Sequence, residues 1–87
     1  MEKRGAEQSQ VFGRRVRKHR LKLNLSQEGL GDISGLHRTC IGHLERGEVN
    51  PSLLNIVKVS AALQIDAALL VKGMSRELDN PATPKSS

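Results

Sequence analysis

The chain has 87 residues and one aromatic side chain, Phe12, so it holds at most one domain, with a core of Leu, Ile, Val and Ala. A single cysteine excludes an internal disulfide framework, no apolar run approaches the roughly 20 residues of a membrane span, and "MEKRGAEQSQ" is not a signal peptide, which together predict a soluble cytoplasmic protein. The net charge is +5, and "RRVRKHRLK" (14–22) holds six Lys or Arg and no acid, so the expected partner is a polyanion, either nucleic acid or an anionic membrane surface.

Residues 1–9 are polar and aperiodic and read as a flexible N-terminal tail. A first helix is predicted over about 10–23 with Ser9 as its N-cap. On it Phe12, Val16, His19 and Leu23 share one stripe with Arg20 at the edge, which makes His19 a core histidine and leaves the other basic residues outside. A second helix follows Ser26 over 27–34 and stops at Gly35. The third covers 37–46 and stops at Gly47. After the turn "EVNPS", Ser52 or Pro51 opens a fourth helix over 53–63, and a short fifth spans 66–71. "SRELDNPATPKSS" (75–87), rich in Pro and Ser, reads as a second flexible tail, which leaves 10–74 as the ordered domain. No segment alternates as a strand would, so the class is all-α.

The second and third helices are joined by a turn too short to be a loop. Leu30, Leu36, Ile41 and Leu44 are apolar there, Gly31 is small and Gly35 lies at the turn. Two helices crossing at about 90–120° need a small residue where they approach and a glycine able to take positive φ. "LSQEGLGDISGLHRTCIGHLERGEVNPSLLNIVKVSAAL" therefore resembles the helix-turn-helix domain of the Cro/C1-type (xenobiotic-response-element) family, with "LSQE", "ERG" and "NPSL" as its markers. "GLHRTCIGHLERGEVNPSLLNI" is most similar to controller proteins of restriction–modification systems.

The resemblance implies a compact five-helix, lambda-repressor-like DNA-binding domain whose second and third helices form the motif, and a transcriptional regulator that binds operator DNA as a two-fold dimer. Its partners would be double-stranded DNA and a second copy of the chain, with RNA polymerase as a further candidate; it implies no cofactor and no catalysis. Carried over residue by residue, Arg38, Thr39 and His43 are the base readers. Arg38 can bond bidentately to guanine, Thr39 can touch a thymine methyl, and His43 can donate or accept. Ser26 and Gln27 at the start of the second helix, with Cys40, Arg46 and Asn50, match phosphate-contacting positions. Arg20 and Glu45 match a pair that is internal in the family.

Several positions depart from the family pattern. Cys40 stands where controller proteins often carry Tyr, Gly29 replaces the Glu of a capping box, and His37 replaces a Ser or Thr cap. Glu48 places an acid in the loop approaching the DNA backbone. Gly29, Gly31 and Gly42 each cost about 1 kcal/mol relative to Ala in a helix.

Other chemistries fit less well. His37, Cys40 and His43 recur every three residues within an arc of about 120°, as metal ligands could, but only His19 remains as a fourth ligand. Cys40 with His43 mimics a Cys–His nucleophile pair without an orienting acid or oxyanion loop. A redox-sensing role for Cys40 stands beside the plain reading of a small residue facing phosphates. Membrane binding through the first helix would consume the stripe that the core needs. An antitoxin of the same fold is the main rival, and the short C-terminal tail favours a pure regulator.

The fourth helix is apolar over too wide an arc. Leu53, Ile56, Val59, Ser60 and Leu63 suffice to pack it on the motif, leaving Leu54, Val57 and Ala61 as a second patch, joined by Leu69. Exposed apolar patches mark interfaces, so these four residues are the predicted dimer contact.

Overall fold

A computed structural model describes residues 2–77 of the chain, with the side chains of residues 7–75. Its elements are α1 (Glu2–Lys22), α2 (Gln27–Ser34), α3 (Arg38–Glu45), α4 (Leu53–Leu63), α5 (Ala68–Val71) and one further turn, α6 (Met74–Glu77). Residues 78–87 of the expected C-terminal tail lie outside the described residues. No helix among the described residues is long and apolar enough to cross a membrane.

Helix α1 corrects two expectations. It begins at Glu2, not after Ser9, because residues 2–8 (EKRGAEQ) are mostly strong helix formers despite lacking an apolar period. Ser9 is buried within the helix, where its hydroxyl donates to Asn50 Oδ1 at 3.0 Å. The buried side of α1 is Ser9, Phe12, Gly13, Val16 and Arg20, rotated from the expected stripe. His19 is only partly buried and Leu23 is exposed. His19 is therefore not a core residue; its pKa lies below the ordinary imidazole value through partial burial and the neighbouring Lys22 and Lys18. Arg15, from the basic run, donates to the carbonyls of Leu70 (3.3 Å) and Lys72 (2.8 Å) and so closes the end of α5.

Phe12, Val16, Leu30, Ile41, Leu44, Val59, Ala62, Leu63 and Leu70 form one core that draws on α1 to α5. Gly13 is the point of contact between α1 and α3. A Cβ there would collide with the Leu44 carbonyl oxygen and lie 2.5 Å from that of Glu45. On α4, Val59, Ser60, Ala62 and Leu63 are buried, whereas Leu53, expected inside, is 77% exposed in the first turn. Ser52 is the residue that opens α4, accepting from Asn55 N–H at 3.0 Å.

Candidate nucleic-acid interface

The turn between α2 and α3 sets how α3 is presented. Gly35 caps α2 at φ 79°, and its N–H and that of Leu36 both donate to the Gly31 carbonyl, at 2.8 and 3.0 Å. Any side chain at Gly31 would bring its Cβ within 2.5 Å of the Leu36 carbonyl. His37 then caps α3 with its ring: Nδ1 accepts from Thr39 N–H at 3.0 Å. A histidine thus does the work that a serine or threonine hydroxyl usually does, and only with Nδ1 unprotonated.

Helix α3 has an inner and an outer side. Ile41, Leu44 and Glu45 face the core, while Arg38, Thr39, His43 and the cap residue Arg46 fall within an arc of about 140° on the other side. Gly42 lies in the middle of that arc and is buried beneath Arg46, whose Nη1 would sit 3.1 Å from an added Cβ. Arg38, Thr39 and Arg46 are exposed and His43 is half-exposed. A helix with cations and hydrogen-bonding groups on one such side can meet base edges and phosphates in a major groove.

Acidic residues attend those cations. Arg38 Nη1 lies 3.9 Å from Glu28 Oε1, a loose exposed pair. Glu48 Oε2 accepts from Arg46 Nε at 2.9 Å and Glu48 Oε1 lies 2.6 Å from His43 Nδ1. Hydrogen bonds from Arg46 and then His43 hold the Glu48 carboxyl down at about 2, and the same carboxylate raises the pKa of Arg46.

Behind the exposed side, Arg20 and Glu45 meet in the interior, 7% and 9% exposed. Arg20 Nε donates to Glu45 Oε2 at 2.6 Å, Nη2 to Oε1 at 2.9 Å, and Nη1 to the Leu25 carbonyl at 2.8 Å. The hydrogen bond from Arg20 to Glu45 raises the pKa of Arg20, so its guanidinium stays charged despite burial. The pair ties α1 to the end of α3 and fixes the angle at which α3 leaves the domain.

Two of the residues expected at phosphates make internal contacts. Gln27 is turned inward, its Nε2 donating to Glu45 Oε1 at 3.1 Å, so it buttresses the buried pair. Cys40 is partly buried against the core, at the edge of α3 away from the Arg46 side. His37, Cys40 and His43, which share one arc of the helix, make three separate contacts: one ring caps α3, one meets Glu48, and the thiol packs inward. Ser26 Oγ accepts from Gly29 N–H at 2.9 Å, leaving its own hydroxyl proton free to donate. Asn50 accepts from Ser9, and its amide NH₂ remains a donor. Leu54 (59% exposed), Val57, Ala61 and Leu69 all lie at the surface. The contact of Glu48 with His43 has no signal in the sequence beyond an acid near the DNA-facing loop: the two lie five positions apart, and the turn at Gly47 brings them together.

Comparison with known proteins gives a consistent picture. A family profile described as helix-turn-helix matches residues 16–70. Control protein C.SmaI of Serratia marcescens is 40% identical over 70 residues, covering 78% of this chain and 83% of that protein. The crystal structure of the restriction–modification controller protein C.AhdI from Aeromonas hydrophila matches with a TM-score of 0.70 and 45% identity, over 71% of this chain and 94% of that one. The P22 c2 repressor protein of Salmonella phage P22, solved in complex with a synthetic operator, matches with a TM-score of 0.67 and 37% identity, again over 71% of this chain and 94% of that one.

Proposed function

The chain belongs to the helix-turn-helix family, and from that premise we propose that it is a sequence-specific, dimeric regulator of transcription acting on operator DNA, as the controller of a restriction–modification operon. The observation that carries this reading is the division of α3: one side is locked into the core through Arg20 and Glu45, and the other offers Arg38, Thr39, His43 and Arg46 to solvent. In this reading α3 enters the major groove, Arg38, Thr39 and His43 contact base edges, and Arg46, Asn50 and Ser26 contact phosphates. Gln27 supports this arrangement from behind, through its hydrogen bond to Glu45, and Cys40 through its packing against the core. No catalytic step is assigned to the chain, and its work belongs in the cytoplasm with the DNA it binds.

The exposed apolar residues Leu54, Val57 and Ala61 on α4, with Leu69 on α5, support dimerisation through that surface. A two-fold dimer would place the two copies of α3 about 34 Å apart on a near-palindromic site. Footprinting the DNA upstream of the chain's own gene tests both parts. The expected result is two protected half-sites one helical turn apart. Leu54→Glu and Val57→Lys should sediment as folded monomers and lose cooperative protection; variants that sediment as the parent does place the interface elsewhere.

A further inference from the structure

The turn that ends α3 aims a carboxylate at one of its base readers. Gly47, at φ 71°, donates its N–H to the Leu44 carbonyl at 3.1 Å, and Glu48 donates its own to the His43 carbonyl at 3.0 Å. Those two bonds make a Schellman turn, which folds the residue after the glycine back onto the residue five positions earlier. Apolar side chains usually fill that contact. Here it is polar, with His43 Nδ1 2.6 Å from Glu48 Oε1. Glu48 is itself held in place, since Arg46 donates through Nε to Oε2 at 2.9 Å and through Nη2 to Oε1 at 3.3 Å. Gly47 cannot drift either, because its Cα packs so close to α1 that an added Cβ would lie 2.5 Å from Gln10 Cγ.

The chemistry of the contact fixes a proton. An ionised carboxylate only accepts hydrogen bonds, so Nδ1 of His43 must be the donor. In the neutral ring the other nitrogen, Nε2, then carries a lone pair and can only accept. Among the described residues Nε2 has no hydrogen-bond partner.

We propose that Glu48 is a positioning residue for base recognition: it holds the proton of His43 on Nδ1, so that the ring offers Nε2 as an acceptor and selects a base with an amino group on its major-groove edge, adenine or cytosine. This rests on reading α3 as the recognition helix with His43 among its base readers. A free histidine would accept either tautomer and match donors and acceptors alike. One bound to Glu48 discriminates between them.

The test is a set of duplexes carrying the half-site footprinted upstream of the chain's own gene, with each base pair replaced in turn. Dissociation constants are measured at about pH 8, above the ordinary imidazole value of about 6.5. The parent should prefer A or C on the contacted strand at one position per half-site, by roughly three- to tenfold. His43→Ala should flatten that position. Glu48→Gln should flatten the same position, because its amide can either accept from Nδ1–H or donate to a bare Nδ1, and should leave the position read by Arg38 unchanged. A Glu48→Gln profile that keeps the preference while His43→Ala erases it overturns the positioning role, as does a parent that prefers G or T there. If His43→Ala flattens no position, His43 is not a base reader, and the proposal falls with that assignment.

Discussion

Glu45 and Glu48 sit three positions apart at the end of α3, and each accepts two hydrogen bonds from one arginine and a close contact from a third side chain. Glu45 takes Arg20 and Gln27; Glu48 takes Arg46 and His43. The first set is out of water and the second is half-exposed. Burial changes what such a set does. Out of water, neither charge tolerates the loss of its partner, so the pair pins α3 to α1. In water the same geometry adds little to stability and serves instead to orient the side chains that make it. One helix therefore carries a structural ion pair on its inner side and a solvent-facing, orienting one on its outer side.

Breaking the two pairs should separate them. Glu45→Gln leaves Arg20 charged in the interior and should cost about 3–5 kcal/mol, lowering the melting temperature by upwards of about 12 °C. Glu48→Gln should melt within about two degrees of the parent. Equal melting temperatures for the two variants would mean that the Arg20 pair is solvated in solution.

The inner joint can also be strained without touching a charge. Gly13→Ala forces a methyl group against the carbonyls of Leu44 and Glu45, and backbone on both sides gives it nowhere to move. The expected loss is about 1–3 kcal/mol by chemical denaturation. Gly42→Ala, which meets only the movable end of Arg46, should lose nothing and gain helix propensity. A neutral Gly13→Ala would mean that α1 and α3 are farther apart than described.

The smallest effect concerns pH. The Glu48 carboxyl is lowered from 4.5 to about 2, so its contribution is complete above about 4.5 and is lost as pH falls through about 2. The small difference in melting temperature between parent and Glu48→Gln should accordingly persist from neutral pH down to about 4.5 and fade below it. A difference that disappears near pH 6 would show that the carboxylate is not paired as described. High salt should shrink it at every pH.

The central helices were legible in the sequence because their signals are local. Ser26, Gly35, Gly47 and Ser52 punctuate α2, α3 and α4, and each cap needs only residues within a few positions of itself. Helix α1 was harder to read because polar residues line its buried side. Ser9 and Arg20 do not register as apolar, while Leu23, which does, falls beyond the helix end and stays exposed. Leu53 misled for a similar reason, lying in a first turn with nothing packed over it. At the candidate site, Arg20 with Glu45 came from the family resemblance and not from periodicity. The inward turn of Gln27 could not be read at all, since its partner Glu45 is eighteen residues away and is brought within reach only by the crossing of α2 and α3.

Whether the exposed side of α3 reads base sequence is tested most directly by Arg38→Ala. Among the described residues its guanidinium is held only by a loose pair with Glu28, which leaves it able to engage a guanine edge. Affinity should be measured for the footprinted operator and for a random duplex of equal length, at one fixed salt concentration. The predicted result is a loss of about 1–3 kcal/mol on the operator, relaxed preference at one G·C pair per half-site, and binding to the random duplex close to that of the parent. Equal weakening on both duplexes would contradict base reading by α3, because it would make Arg38 a phosphate contact and leave α3 without its principal reader.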